Sequence, residues 1–180
     1  MNKSFIISGS GGQGILSIGS ILANIFMLNG YYVTYCSSYG AEMRGGADNC
    51  EIIDSEKEIN SFQKEKEHYV ITLNQASYNK FIHKVKENGF IIANSSLISK
   101  EKLKENINYI FAPFSEIATK LGNIKMANSV ALGLLTSLIE NFNKSNIKKG
   151  YEKVLHNKTE LIQKNIEAYN LGFEYKKEEI

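Results

Sequence analysis

Hydrophobic residues fall into two rhythms along this chain. Short runs that are apolar almost throughout, such as Phe5-Ile6-Ile7, Tyr69-Val70-Ile71 and Phe90-Ile91-Ile92, alternate with longer stretches in which apolar residues recur three and four apart. The first kind suits strands buried on both faces, and the second suits helices laid over them. Strands are predicted over Ser4 to Ser8, Tyr31 to Cys36, Asn49 to Asp54, Tyr69 to Leu73, Phe90 to Asn94 and Ile107 to Phe111. Helices are predicted over Ile15 to Asn29, Gln75 to Lys86, Lys100 to Glu105, Ser115 to Leu121, Met126 to Glu140 and Thr159 to Leu171. Gly30 and Gly172 stand where left-handed caps would end the first and last of these, and Asn74 and Ser99 where N-caps would start the second and third. The alternation predicts an α/β fold: a Rossmann-like three-layer domain with a mostly parallel sheet covered by helices.

Two segments do not read as plain scaffold. Gly9-Ser10-Gly11-Gly12-Gln13-Gly14 joins the first strand directly to the first helix. A strand that reverses tightly into a helix needs glycine where φ is positive or where a Cβ would block close approach, and it leaves free N–H groups at the helix start. Gly9, Gly11, Gly12, Gln13 and Gly14 are therefore candidates for binding a nucleotide-like ligand, or for close backbone packing. A dinucleotide site would also carry an acidic residue about 20 positions beyond the glycines. The next strand ends without one, and Glu42 falls in a loop.

That loop, Ser37 to Gly46, is the second segment. In a doubly wound sheet the loops at the carboxyl ends of strands line the ligand crevice, which places this one beside the glycine turn. The Arg44 guanidinium, flanked by small residues, could fork onto a phosphate or carboxylate, or pair with Glu42. Further on, Met126 to Leu135 is apolar almost all round, so Asn128 and Gly133 read as a buried hydrogen-bonder and a close-packing point, within this domain or against another subunit.

Composition narrows the remaining classes. With 180 residues and 43% hydrophobic content the chain suits a single domain, 1–180. No apolar run approaches the roughly 18 residues that span a bilayer, and the start leads into a strand rather than a signal peptide, so a cytoplasmic protein with no membrane contact is expected. A net charge of +2 is too small for a nucleic-acid binder. The lysines of 144 to 149 alternate with polar residues as solvated helix faces do. Cys36 and Cys50 are the only cysteines, with no C-x-x-C and no clustering among His68, His83 and His156, so no metal site is expected on this chain.

Taken together the segments resemble the gamma subunit of the 2-oxoacid:ferredoxin oxidoreductases, over nearly the whole chain. Gly9 to Ile15 is similar to that family's G-x-G-G-Q-G-[IV] start, and Ser38-Tyr39-Gly40-Ala41-Glu42-Met43-Arg44-Gly45-Gly46 to its S-Y-G-P-E-M/A-R-G-G loop. Leu73-Asn74 with Ser77 and Phe81, Asn94 to Ile98, Ala127-Asn128 to Gly133 and Asn165 to Gly172 fall where the family has matching pieces. Ala41 and Ala76 stand where proline is usual.

The resemblance implies oxidative decarboxylation of a 2-oxoacid to its acyl-CoA, with the electrons passed to ferredoxin. Thiamine diphosphate, magnesium and iron–sulfur clusters would belong to partner chains, because this one lacks the thiamine motif and the cluster cysteines. No catalytic residue is expected here. The chain would pack against the thiamine-binding and core subunits and help complete the CoA and substrate cleft through Ser38, Tyr39, Gly40, Glu42, Arg44, Gly45 and Asn128. The loop pattern is nearer the 2-oxoglutarate and branched-chain types than the pyruvate type, and favours 2-oxoglutarate. The rival readings are a free-standing Rossmann-like nucleotide-binding or sensor domain and a flavin- or NAD-dependent oxidoreductase.

Overall fold

Six strands form one sheet, at Lys3–Gly9 (β1), Tyr32–Ser38 (β2), Asp48–Ser55 (β3), Glu67–Thr72 (β4), Val85–Asn94 (β5) and Asn108–Ala112 (β6). The computed structural model describes residues 2–38, 48–61, 65–99, 105–156 and 158–175. The strand order is β2-β3-β1-β4-β5-β6, with β1, β4, β5 and β6 parallel to one another and β3 antiparallel to both its neighbours. Five strands thus point one way and β3 alone runs back.

The reversal follows from chain length. A parallel return needs a crossover of about a dozen residues or more, usually a helix. Only residues 39–47 separate β2 from β3, so the chain turns back beside itself and β3 is inserted between β2 and β1. Ser38 pairs with Asn49 and Gly9 with Asp48, so both ends of the 39–47 connection sit at the end of the sheet where β1 gives way to the glycine turn.

The helices are Ile15–Leu28 (α1), Gln75–Phe81 (α2), Phe114–Lys120 (α3), Ala127–Ser137 (α4), Ile147–Leu155 (α5) and Thr159–Glu174 (α6). Alternation along the strands sends Phe5, Ile7, Ile52, Ile71 and Ile92 to one face, where they pack with α1, α3, α4, α5 and α6. Ile6, Val70, Ile91 and Ala93 point to the other, under Tyr78 and Phe81 of α2. The result is the three-layer arrangement expected.

Several boundaries differ from the sequence reading. Helix α2 stops at Phe81, a 3-10 turn follows, and β5 begins at Val85, which pairs with Glu67. The strand's hydrogen bonds claim residues that helical spacing alone would assign to the helix. Gly172 does not end α6 but lies within it, where an added Cβ would strike the Val130 carbonyl. Reciprocally, a Cβ on Gly133 would strike the Tyr169 carbonyl, so these two glycines let α4 and α6 meet backbone to backbone. The lysine-rich stretch at 144 to 149 leads into α5, seated on α1 where Gly150 meets Ile25. The expected helix at 100 to 105 lies outside the described residues except for Glu105, which is in a turn. Gly30 has φ +89, as its capping role requires, and Asn74 caps α2 by accepting from the Ser77 N–H at 2.8 Å.

Candidate functional site

The glycine turn is held from below by a net of amides and hydroxyls. Gln13 folds back so that its Oε1 accepts from the Ser10 N–H at 2.7 Å and from Asn74 Nδ2 at 3.1 Å. Its own Nε2 donates to the Leu73 carbonyl at 3.4 Å. That carbonyl also accepts from Asn94 Nδ2 at 3.3 Å, and the same Nδ2 donates to Ser115 Oγ at 2.8 Å. The carboxyl ends of β1, β4 and β5 and the start of α3 are thereby tied into one edge, with the turn above it.

Each glycine has a different reason to be there. A Cβ on Gly9 would stand 2.6 Å from Gln13 Oε1, so Gly9 makes room for the fold-back. Gly12 and Gly14 have φ of +87° and +71°, a region L side chains rarely adopt. Gly14 is the N-cap of α1, and a Cβ there would collide with the Asn128 amide. Gly11 is different: its φ is not in the left-handed region, and its Cβ would meet only Asp48 Oδ2 at 3.6 Å. Nothing among the described residues explains the absence of a side chain at Gly11.

Asn128, at the start of α4, donates from Nδ2 to the carbonyls of Gln13 at 3.2 Å and Gly14 at 3.4 Å. Its Oδ1 accepts from Ser129, whose hydroxyl also lies 2.7 Å from Asn165 Oδ1 on α6. Asn128 therefore clamps the turn to the helical layer from within this domain.

Beside the turn a cleft of about 150 Å³ opens between Gly12, Gln13 and Leu73 on one side and Ser115, Ile124, Lys125 and Ala127 on the other, with Leu97 at its rim. Leu97 and Ile124 are 50% and 59% exposed, an apolar mouth around a polar floor. This combination, two aliphatic walls, a lysine and backbone N–H groups at a helix start, can hold an elongated ligand with an anionic end. The sequence marks Asn74 as a cap and Asn94 only within the resemblance. Leu97 likewise falls only within that resemblance, and nothing marks Ser115, Ile124 or Lys125 as site residues; the fold brings the four together from the β5–β6 connection, the first turn of α3 and the turn before α4.

Ser38 ends β2 with its side chain exposed, at the base of the 39–47 connection. Tyr39, Gly40, Glu42, Arg44 and Gly45 lie outside the described residues, as does the question of whether Arg44 pairs with Glu42. Cys36 is exposed, whereas Cys50 is fully buried and its thiol faces the Ile15 carbonyl at 3.7 Å. Burial pushes the Cys50 thiol up to about 12, which leaves it protonated at neutral pH. Among the described residues no three His, Cys, Asp or Glu side chains are grouped so as to hold a metal ion. No helix among them is long and apolar enough to cross a membrane.

The sheet order, the capped glycine turn and the helical clamp define a Rossmann-like α/β domain whose glycine turn faces a cleft at the strand ends. The particular family is fixed by comparison: the model of the pyruvate ferredoxin/flavodoxin oxidoreductase family matches residues 4–175, and the chain belongs to that family. It is 33% identical to the 2-oxoglutarate synthase subunit KorC of Methanocaldococcus jannaschii, over 99% of this chain and 96% of that protein. It is 28% identical to the ketoisovalerate oxidoreductase subunit VorA of Methanothermobacter marburgensis, over 94% of this chain but only 35% of that longer protein. Among solved structures, the gamma subunit of a keto/oxoacid ferredoxin oxidoreductase from Geobacter sulfurreducens superimposes with a TM-score of 0.82 at 26% identity, covering 96% of both chains. The 2-oxoglutarate:ferredoxin oxidoreductase of Magnetococcus marinus, solved with 2-oxoglutarate, coenzyme A and succinyl-CoA, shares the fold with a TM-score of 0.86 at 22% identity. This chain spans 96% of its own length there and 30% of that chain.

Proposed function

We propose that this chain is the gamma subunit of a 2-oxoacid:ferredoxin oxidoreductase whose substrate is 2-oxoglutarate, and that it has no activity alone. The observation that carries this is the end-to-end match to a 2-oxoglutarate synthase subunit of nearly equal length. A protein that aligns over its whole length with one subunit of an enzyme fills that subunit's place. A free-standing nucleotide-binding domain would have no reason to keep that correspondence together with a hairpin anchored beside the glycine turn.

Within the assembled enzyme the glycine turn, the cleft and the 39–47 connection form part of the wall of the CoA and substrate site. Gly11, Gly12, Lys125 and the exposed Leu97 and Ile124 supply close approach, positive charge and apolar cover. Arg44, in that connection, supplies a guanidinium suited to a phosphate or a carboxylate. Thiamine diphosphate, magnesium and the clusters sit on partner chains, and ferredoxin accepts the electrons there. CoA carries the acyl product away as a thioester. This chain's part is to bind and orient, with no proton or electron passing through its side chains.

The test is to purify the complex through a tag on this chain and compare kcat/KM for 2-oxoglutarate, 3-methyl-2-oxobutanoate and pyruvate. A preference for 2-oxoglutarate is expected, and a preference for pyruvate would overturn the substrate reading.

A further inference from the structure

The end of the sheet away from the glycine turn carries a second polar cluster. Gly9 pairs with Asp48 at the turn and Lys3 with Asp54 at the opposite end, which sets the two about 20 Å apart along the strands. Asp54 is 1% exposed, and neither of its carboxylate oxygens meets a donor in hydrogen-bonding geometry. Buried carboxylates are ordinarily paired, hydrogen-bonded or bound to a cation. The charge of Lys3 and the backbone N–H groups of Lys3 and Asp54 pull toward the ionised form, yet burial outweighs them and raises the carboxyl to about 6. The Tyr69 hydroxyl, pushed up by burial and then by the Asp54 and Glu140 charges, donates instead to the Leu138 carbonyl at 3.4 Å.

Asp54 lines a cavity of about 10 Å³, room for one particle the size of a water molecule. Glu140, Asn141 and Asn143 face it from the connection after α4, and Lys3 and Asn29 from β1 and the end of α1. Asn29 Nδ2 donates to the Asn143 carbonyl at 2.9 Å, which fixes that connection over the cavity. Phe26 and Phe142, edge to face at 6.1 Å, form an apolar wall that offers the carboxylate no donor.

Charge and size select the occupant. The carboxylates of Asp54 and Glu140 and the ammonium of Lys3 leave one negative charge around the cavity. A divalent ion would overcompensate that charge and would want about six to eight oxygen ligands. A lysine or arginine side chain from elsewhere is too large for a water-sized space. An aromatic wall suits a cation that sheds its hydration readily. We infer that the Asp54 cavity binds one weakly hydrated monovalent cation of potassium size, with ligands drawn from Asp54, Glu140 and Asn141. The ion neutralises Asp54 and pins the connection after α4 to β3. It binds the isolated chain as well as the assembled enzyme, because every group it uses belongs to this chain.

Urea denaturation of the isolated full chain at pH 7 reads the binding. In about 100 mM potassium chloride the folding equilibrium constant should be about tenfold higher than in the same concentration of tetramethylammonium chloride, as a Kd of about 10 mM gives. Sodium, smaller and more strongly hydrated, should give a smaller gain, and an equal or larger one overturns the potassium assignment. Asp54→Asn keeps the shape of the side chain without its charge and should lose the potassium effect entirely. Glu140→Gln, at an exposed position, should weaken it severalfold. Lys3→Met removes the competing ammonium and should enlarge it, which a general salt effect would not do. Equal stability of the wild-type chain in potassium and tetramethylammonium would leave only water in the cavity and overturn the proposal. A potassium effect that survives in Asp54→Asn puts the ion elsewhere and overturns it as well.

Discussion

The Asn128 amide occupies the space that a side chain on Gly14 would need. Asn128 Nδ2 donates to the Gly14 carbonyl at 3.4 Å, and Gly14 holds φ +71° at the start of α1. Gly14→Ala therefore meets two penalties: left-handed backbone, about 1–2 kcal/mol for an L residue, and a collision with Asn128. The collision is the part a double-mutant cycle isolates. Gly14→Ala in an Asn128→Ala background should cost less than in wild type, with a coupling of about 1 kcal/mol by urea denaturation. Additive losses would mean that the two residues are independent.

Gly11 separates ligand approach from packing. Among the described residues a Cβ there meets nothing closer than Asp48 Oδ2 at 3.6 Å. Gly11→Ala should change stability by less than about 1 kcal/mol, as surface substitutions usually do. On the proposed role of the turn in the CoA wall, it should nonetheless raise the KM of the assembled enzyme for CoA severalfold. A variant with unchanged KM and kcat would make the turn a connection only.

Arg44→Ala tests the proposed role of the 39–47 connection in the same way. The isolated chain should keep its melting temperature, while the complex loses tenfold or more in kcat/KM, and Lys at the same position should restore only part of it because a lysine cannot fork onto an anion. Full activity in Arg44→Ala would remove this residue from the cleft.

Asp54 supplies a pH dependence. Burial raises its carboxyl from 3.8 to about 6, against the opposing pull of Lys3. The folded chain thus holds the proton more tightly than the unfolded one, so stability is greatest below about pH 4 as far as this group is concerned and falls as pH rises through about 6. The full loss is about 3 kcal/mol, since each tenfold difference in proton affinity between the folded and unfolded chain is worth about 1.4 kcal/mol. Asp54→Asn should abolish this slope and be more stable than wild type at pH 7, measured by denaturant titrations at pH 4 and 7. A slope unchanged in Asp54→Asn would assign it to other groups.

Helix contact through Gly133 and Gly172 is the least forgiving feature. Either Gly→Ala change drives a methyl into backbone of the facing helix, which has no side chain to move aside. A loss of about 3 kcal/mol or more is expected, at the upper end of overpacking costs, and for a domain of ordinary marginal stability that means poor recovery of folded protein. Wild-type melting temperatures in both variants would contradict the packing described.

β1, β4 and β5 were legible because their central residues are apolar on both faces, a signal that survives without knowledge of neighbours. The antiparallel place of β3 was legible only in principle, through the shortness of the 39–47 connection, since its residues look like those of its parallel neighbours. Gly172 shows the limit of local reading: glycine near the end of an apolar stretch looks the same whether it caps a helix or lets another helix touch it. Gly9 to Gly14 and Asn128 stood out by type and spacing. Leu97, Ile124 and Lys125 did not, because nothing local distinguishes a rim residue from any other exposed one.

The seat of Gly172 against Val130 also bears on when this chain can fold. Together with the 2.7 Å hydrogen bond between the Thr136 and Tyr169 hydroxyls, it joins the middle of the sequence to its last helix. During synthesis, Gly133 and Thr136 lack their final neighbours until α6 has left the ribosome. Until then the chain holds all six strands of its sheet while the helical layer over one face is still open.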